Sequence, residues 1–232
     1  MPSKEYLEVK DTVKLESAAT CLRDKLMIRL LRRLGCRVGE VLGIEVDDID
    51  FDAGTIAIEH KKIRLTLKCP DCGGRLSKNS VFCGKCGNKV AKAVSDATEV
   101  RRMRTLPVDP ETLALVKEYI DRGGPVEIDG HKKLFNMTRQ RAWSIVVFCA
   151  KQAGLPQLKN PATGKTHHVS PHKMRDAFAI NAVKHNDTGD GIRLLQEQLG
   201  HQSYDTTMKY RKVAGAELKK WNEDLLKDEQ EE

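Results

Sequence analysis

The stretch of sequence that decides the fold is PHKMRDAFAINAVKHNDTGDGIRLLQEQLGHQSYDTTMKYR, residues 171–211. It carries His172 and Arg175 three residues apart, then His201 directly after Gly200, and Tyr210 nine residues beyond that histidine. A spacing of three residues places His172 and Arg175 on one face of a helix. These side chains are the kinds that bind a phosphodiester and attack it without a metal ion.

Helical patterns surround this stretch. Leucines recur at every fourth position from Leu22 to Leu34, which predicts an amphipathic helix over residues 16–34 that ends at Gly35, with about 15 residues before it. Thr138 is a candidate N-cap for a later helix. The other predicted helices are a short one that begins at Arg37, and those over residues 110–121, 138–153, 171–185, 190–199, 204–212 and 214–227.

Three short strands are predicted in the first half of the chain, at residues 44–50, 55–58 and 102–108. A turn at residues 52–54 separates the first two, and a cysteine-bearing segment lies between the second and the third. We therefore predict an α+β fold that is mainly α-helical, with a small three-stranded antiparallel sheet. Residues 154–170 are predicted to be a polar loop in which His167 and His168 face solvent or a ligand.

The cysteine-bearing segment has the spacing of a metal site. Two CxxC pairs are separated by ten residues, and glycines follow each pair where tight turns need a positive φ. Four thiolates bind Zn²⁺ tetrahedrally and leave no open position, so we predict a structural zinc ribbon over residues 63–100. The predicted ligands are Cys69, Cys72, Cys83 and Cys86, whereas Cys21, Cys36 and Cys149 are predicted to be core residues.

Composition restricts the class of partner. Forty Lys and Arg against 33 Asp and Glu give a net charge of +7, which favours a polyanionic partner. Neither a signal peptide nor an apolar run of membrane-spanning length is present, so a cytoplasmic protein without a membrane partner is expected. The acidic residues 228–232 are expected to form a disordered tail.

Taken in order, the motifs resemble the catalytic domain of tyrosine recombinases, the phage-integrase family. The resemblance covers residues 15–213 and implies that the whole chain, 1–232, is one such integrase-type catalytic domain with the zinc ribbon inserted in a hairpin. It rests on GCRVGEVLG at residues 35–43, DID at 48–50, RTLP at 104–107, LF at 134–135, HKMR at 172–175, LGH at 199–201 and Tyr210.

This resemblance implies roles for the residues. Arg37, His172, Arg175 and His201 would surround a scissile phosphate, and Tyr210 would be the nucleophile, with Tyr204 as the other local tyrosine. The implied function is a site-specific DNA recombinase, or integrase, that cuts and rejoins strands through a 3′-phosphotyrosine intermediate without ATP or a catalytic metal. Two arginines suit this task because guanidinium groups make bidentate bonds to phosphate.

The family also has a lysine, in the hairpin between the second and third strands, that protonates the leaving oxygen. The inserted segment interrupts that hairpin here, and alignment of residues 55–58 with the second strand indicates Lys62, with Lys61 or Lys92 as alternatives. A second departure is Asp176, which follows Arg175 where many relatives carry a histidine.

The implied partners are double-stranded DNA and other copies of the chain, as a tetramer on DNA. The predicted helix over residues 214–227 would dock on a neighbouring subunit or on its own domain, and the ribbon would lie along phosphates or dock a partner. The chain is either the catalytic half of a longer protein or a minimal recombinase. The alternatives to a recombinase are a non-catalytic DNA-binding protein with the same fold, such as an excision accessory factor, and a topoisomerase.

Overall fold

The computed structural model describes residues 4–160 and 163–211, and for residues 62–65 it describes the backbone only. The chain divides into two compact units. The larger unit contains the residues up to Ile58 and those from Arg104 onward, and the smaller unit is Glu59–Met103. The helix predicted over residues 214–227 and the tail at 228–232 lie outside the described residues.

Helices dominate the larger unit. Glycines in the left-handed region end two of them, Gly35 with φ 62° and Gly200 with φ 67°. Thr138 accepts a hydrogen bond from the backbone of Arg141, as predicted for an N-cap. The helices are α1 (Val9–Ser17), α2 (Leu22–Leu34), α3 (Val38–Val41), α4 (Pro110–Asp121), α5 (Arg139–Gln152), α6 (Pro171–His185), α7 (Gly189–Leu199) and α8 (Tyr204–Arg211).

Two strand pairs of the main sheet, β1 with β2 and β2 with β3, are antiparallel. Strand β1 pairs with β2 through Ile49 opposite Ile56, β2 pairs with β3 through Leu67 opposite Leu76, and β4 also pairs with β2. Two separate hairpins complete the strands. The strands are β1 (Ile49–Asp50), β2 (Thr55–Lys68), β3 (Arg75–Leu76), β4 (Val94–Pro107), β5 (Val126–Ile128), β6 (His131–Lys133), β7 (Leu158–Lys159) and β8 (Thr166–His167).

The core of the larger unit is built around α2, whose buried side chains include Leu26, Met27, Leu30 and Leu31 with no exposed surface. This helix packs against α1, α4 and α6. Each fully buried leucine contributes about 1.5–3 kcal/mol to folding. The helix is therefore a fixed support for Gly35 and Arg37, which follow it directly.

A second apolar cluster joins the last three helices. Its buried residues lie on α6 and α7, and Met208 and Tyr210 of α8 pack against them. This packing fixes α8 against the helix that carries His172 and Arg175. The fully buried members are Ala179, Ile192 and Leu199, with Val183 and Leu195 almost fully buried.

Several sequence predictions differ from the structure. The predicted helix over residues 16–34 is two helices, and the first begins at Val9, so fewer than 15 residues precede it. The reason is Glu16, which pairs with Arg29 at 2.6 Å and with Arg32 at 2.8 Å. In one continuous helix thirteen residues span about 20 Å, so these ion pairs require the chain to turn back.

Other differences concern strands and one cysteine. Strands β2 and β4 are each 14 residues long and extend well beyond the predicted 55–58 and 102–108. β3 and the hairpins β5–β6 and β7–β8 were not predicted, because strands of two or three residues carry too little pattern. Cys21 is exposed at the start of α2, so its prediction as a core residue is wrong, while Cys36 and Cys149 are buried.

None of the helices in the described part of the chain is both long enough and apolar enough to cross a membrane.

Candidate active site and cysteine cluster

One pocket of the larger unit, with a volume of about 560 Å³, brings the distant motifs together. Its walls come from the start of α3, the first two turns of α6, the residue after Gly200, and α8. Five of the six predicted catalytic residues line it. The lining residues are Arg37, Val38, Pro171, His172, Arg175, Asp176, His201, Thr206, Lys209 and Tyr210.

Arg175 lies at the base of this pocket and is only 4% exposed. Its guanidinium donates to the carbonyl oxygen of Gly35 at 2.9 Å and to that of Leu199 at 2.8 Å. These carbonyls lie at the C-terminal ends of α2 and α7, where unpaired acceptors and the helix dipole favour a cation. Burial, and then the charge of Arg37, lower the pKa of Arg175, yet a guanidinium remains charged at neutral pH.

Arg37 lies at the pocket rim with 41% of its side chain exposed. It donates to Glu40 at 2.9 Å, and the other carboxylate oxygen of Glu40 accepts from Arg104 at 2.7 Å. Burial acts to raise the pKa of Glu40, but its bonds to Arg104 and Arg37 lower it overall. A buried carboxylate that stays ionised thus holds Arg37 in position.

His201 is held in one tautomer. An arginine can only donate, so the 2.9 Å contact from Arg175 makes Nε2 of His201 an acceptor. The Nδ1 atom, 2.9 Å from the hydroxyl of the buried Thr207, therefore carries the proton. Burial, followed by the charge of Arg175, lowers the pKa of His201 to about 4, so the imidazole is neutral at pH 7 in this state.

Tyr210 donates its phenolic hydrogen to Asp176 at 3.2 Å, and its ring stacks on that of His201 with centroids 6.2 Å apart. Burial, and then the charge of Asp176, raise the pKa of Tyr210 to about 12. The same carboxylate oxygen of Asp176 lies 3.3 Å from Nδ1 of His172. The phenol is therefore kept protonated while no substrate is bound.

His172 and Arg175 share a helix face, as predicted, but they differ in exposure. The side chain of His172 is 74% exposed at the pocket mouth, whereas Arg175 is buried beneath it. Hydrogen bonding to Asp176 raises the pKa of His172, with burial opposing it. Burial acts to raise the pKa of Asp176, but His172 and Lys173 lower it overall.

The remaining predicted residues are placed differently. Lys62 belongs to strand β2 in the smaller unit, and its side chain is outside the described residues, so its role stays a prediction. Lys61 and Lys92 are exposed in that unit. Tyr204, the other candidate nucleophile, is 43% exposed and is not among the residues that line the pocket. His167 and His168 are exposed, as predicted.

Sequence reasoning missed three supporting residues of the site. Glu40 and Thr207 are buried beneath Arg37 and His201, and Arg104 links Glu40 to the carbonyl of Gln198 at 3.0 Å. One of them had a recognisable pattern, because Glu40 stands three residues after Arg37, the spacing of a capping box at a helix start. Nothing in the local sequence marks Thr207, because its partner comes from the preceding loop.

In the smaller unit the four predicted metal ligands converge. All four sulfur atoms lie within 4.8 Å of one another, with Cys69 and Cys86 3.8 Å apart and Cys72 and Cys83 3.6 Å apart. A tetrahedron with Zn–S bonds of about 2.3 Å has S–S edges of about 3.8 Å, so the cluster has room for such an ion. Gly73 and Gly87, both with positive φ, close the two matching turns.

Known proteins resemble this chain over most of its length. The model of the phage integrase family matches residues 2–70 and 85–217. The unmatched residues, 71–84, contain Cys72 and Cys83 and lie within the smaller unit. Two of the four clustered cysteines therefore lie in a segment that the family model does not match, while Cys69 and Cys86 lie at the edges of the matched ranges.

Curated relatives are tyrosine recombinases. The chain is 27% identical over 215 residues to tyrosine recombinase XerD of Neisseria meningitidis serogroup B, which covers 89% of this chain and 55% of that protein. It is 30% identical over 214 residues to tyrosine recombinase XerD of Mycobacterium leprae, covering 90% and 55%. The chain thus spans about half the length of the curated relatives that it matches.

Solved structures share the fold. The crystal structure of XerA recombinase superposes with a TM-score of 0.59 at 20% identity, covering 90% of this chain and 59% of that one. That of XerH site-specific recombinase bound to palindromic difH substrate gives 0.60 at 20% identity, covering 95% and 53%. These likenesses confirm the predicted α+β recombinase fold. Because the family model matches more than half of its residues, the chain belongs to the phage integrase family.

Proposed function

We propose that this chain is the catalytic part of a site-specific DNA recombinase that cuts and rejoins DNA through a 3′-phosphotyrosine intermediate. One observation carries the proposal. A single pocket gathers two guanidiniums, two imidazoles and a phenol from four separate segments of the chain, namely Arg37, His172, Arg175, His201 and Tyr210. A protein that only binds DNA has no need of a tyrosine in contact with this set.

In the proposed reaction the phenolic oxygen of Tyr210 attacks the phosphorus of a DNA strand. A Tyr–O–P bond forms to the 3′ side, and the bond to the 5′ oxygen breaks. Negative charge gathers on the non-bridging oxygens, where Arg37 and Arg175 supply bidentate, charge-assisted hydrogen bonds. The phosphotyrosine ester retains the energy of the phosphodiester bond that was broken. The 5′ hydroxyl of another strand therefore attacks this ester and reverses the step, and neither ATP nor a catalytic metal is needed.

Two proton transfers accompany this chemistry. Tyr210 must lose its proton during attack, and its contact with Asp176, which also faces His172, supplies a hydrogen-bonded route toward that histidine as base. The departing 5′ oxygen must gain a proton, and we propose Lys62 as the donor, with Lys61 and Lys92 as alternatives. This lysine assignment rests on the family resemblance and on the position of Lys62 in β2.

We propose further that residues 63–100 form a zinc ribbon in which Cys69, Cys72, Cys83 and Cys86 hold a structural Zn²⁺. The near-tetrahedral sulfur spacing supports it. Because all four ligands would come from protein, this ion would stabilise the fold and have no open position for catalysis. A unit of this size buries few apolar residues, so a metal would add the stability that a small core lacks.

Double-stranded DNA is the proposed partner, and assembly into a homo-oligomer on DNA is proposed with it. Among structures of the same fold, XerH is described as bound to difH substrate in a post-cleavage complex, and lambda integrase as a dimer bound to a core site. The pocket of this chain is lined by several cationic side chains, as binding of a phosphate requires.

A covalent trapping experiment tests the function. The protein is incubated with nicked suicide duplexes that carry candidate recombination sites, and the denatured products are examined for a protein–DNA adduct. We expect an adduct with the wild type and with Tyr204→Phe, and none with Tyr210→Phe. A persistent adduct in Tyr210→Phe would disprove the assignment of the nucleophile, and no adduct from any variant would leave a non-catalytic DNA-binding protein.

A further inference from the structure

The excess positive charge of the chain is confined to the smaller unit. Residues 59–103 contain eleven Lys and Arg against four Asp and Glu, a net charge of +7, which equals the net charge of the whole chain. The larger unit is therefore balanced between acids and bases. Four thiolates around a divalent metal would reduce the net charge of the smaller unit to about +5.

Three of the four acidic residues of the smaller unit are already in ion pairs. Glu59 lies 3.0 Å from Lys61, Asp96 lies 2.6 Å from Lys68, and Glu99 lies 3.2 Å from Arg101. The fourth acid, Asp71, accepts a hydrogen bond from the side chain of Asn88 at 3.0 Å. The three ion pairs neutralise cations on or beside the long strands, whereas Asp71, the acid within the cysteine turns, forms no ion pair among the described residues.

The cations around the cysteine turns are exposed and unpaired. Among the described residues, the side chains of Arg75, Lys78, Lys85 and Lys89 are exposed and make no ion pair. Phe82, paired in a β-bridge with Lys89, is 61% exposed. Like charges crowded on 45 residues repel one another and destabilise a small unit, so a polyanion that binds them would relieve that repulsion.

We infer that the smaller unit is a second DNA-binding surface, which contacts the phosphate backbone of duplex DNA without reading base sequence. The cations of the cysteine turns form this contact and release counterions when they bind. The choice of duplex DNA among polyanions rests on the proposed function. A unit tethered to a DNA-bound catalytic unit meets the same duplex at a high effective concentration.

Salt dependence of binding tests this surface in the full chain. The probe is a duplex of about 30 base pairs without a recombination site, and its dissociation constant is measured over a series of salt concentrations. The variant Lys78→Gln/Lys85→Gln/Lys89→Gln removes three exposed cations that are not metal ligands. We expect it to weaken binding at least about ten-fold near 0.1 M salt and to reduce the log–log salt slope by about 2–3.

The matched control is Lys14→Gln/Lys117→Gln/Lys151→Gln, which removes the same charge from exposed lysines of α1, α4 and α5. We expect this control to change the slope by less than one. Equal losses in both variants, or an unchanged slope in the first, would overturn the inference. If the first variant kept the salt slope of the wild type but lost self-association, the inference would also be overturned, and the surface would be a docking site for another copy of the chain.

Further measurements distinguish failure of this inference from unfolding of the smaller unit and from failure of the proposed function. Zinc content of each variant shows whether the smaller unit is still folded, and Arg75→Gln/Lys78→Gln tests the same prediction if the triple variant loses its metal. Because the duplex carries no recombination site, its binding does not depend on formation of an adduct. An inactive Tyr210 pocket therefore leaves this test intact, and a failed salt test leaves the recombinase proposal intact.

Discussion

At the scale of the residue, the two pocket arginines are held by different means. Arg175 is buried and its donors are directed by two helix-end carbonyls, whereas Arg37 is half-exposed and is positioned by the ionised Glu40. Within the described residues, three of the five guanidinium N–H groups of Arg175 donate to Gly35, Leu199 and His201. Lysine, with a single nitrogen, cannot span these partners together.

Asp176 determines the protonation of Tyr210 at the same scale. The carboxylate of Asp176 is ionised throughout the neutral range, because its pKa is lowered. It faces the phenol of Tyr210 from α6, together with Arg175 and His172, while His201 stacks on the phenol ring. We predict that Asp176→Asn lowers the pKa of Tyr210 from about 12, because the charge of Asp176 is, after burial, the largest cause that raises it. The pH at which the rate of adduct formation reaches its plateau should decrease accordingly.

This shift is measurable by NMR of protein labelled at the tyrosine ring, with Tyr210→Phe used to assign the resonance. The control is Asp187→Asn, which removes an equal charge 3.3 Å from Arg211, at the end of the same helix as Tyr210. A pKa of Tyr210 that stays the same in Asp176→Asn, or that falls equally in the control, would show that Asp176 does not hold the phenol.

At the scale of the element, the site depends on how two helices end. α2 and α7 both finish at a glycine in the left-handed region, and both ends direct carbonyl groups at Arg175. At Gly35 a β-carbon would lie 2.4 Å from the ring of Phe178, so both the backbone angle and the space require glycine there.

We predict that Gly35→Ala lowers the free energy of unfolding by about 2–5 kcal/mol, since the left-handed conformation and the clash with Phe178 both oppose it. Gly123 is a matched control, with φ 73° and nothing within 4 Å of the added carbon. Gly123→Ala should cost only about 1–2 kcal/mol. The free energies of unfolding of the wild type and the two variants are measured with urea. Equal losses of stability in both variants would mean that Phe178 moves aside without cost.

The helices and the pocket were predictable from sequence to different degrees. Helix α4 has the predicted bounds, because Asp109 and Pro110 mark its start, and α6 begins at Pro171 as predicted. The break between α1 and α2 was not predictable, because it depends on the long-range pairing of Glu16. Likewise, local spacing placed His172 and Arg175 on one face but could not show which of them is buried.

At the scale of the whole molecule, two units of different construction share one chain. The larger unit has an extensive apolar core and a second apolar cluster on α6 to α8, whereas the buried apolar cluster of the smaller unit consists of Cys69, Leu76 and Cys83. A cluster this small cannot offset the entropy of ordering its residues. We therefore predict that the smaller unit depends on the proposed zinc ion for folding, and that the larger unit does not.

Removal of metal with a chelator tests this dependence. We predict that backbone amides within residues 69–90 lose protection from hydrogen exchange, while those of α2 and α6 keep theirs, because only the smaller unit would be stabilised by the proposed ion. Cys72→Ser should have the same effect and lower the zinc content, whereas Cys21→Ser, which alters an exposed cysteine outside the cluster, should retain both zinc and protection. Zinc retained in Cys72→Ser would refute the ligand assignment, and loss of protection in α2 on chelation would show that the two units do not fold separately.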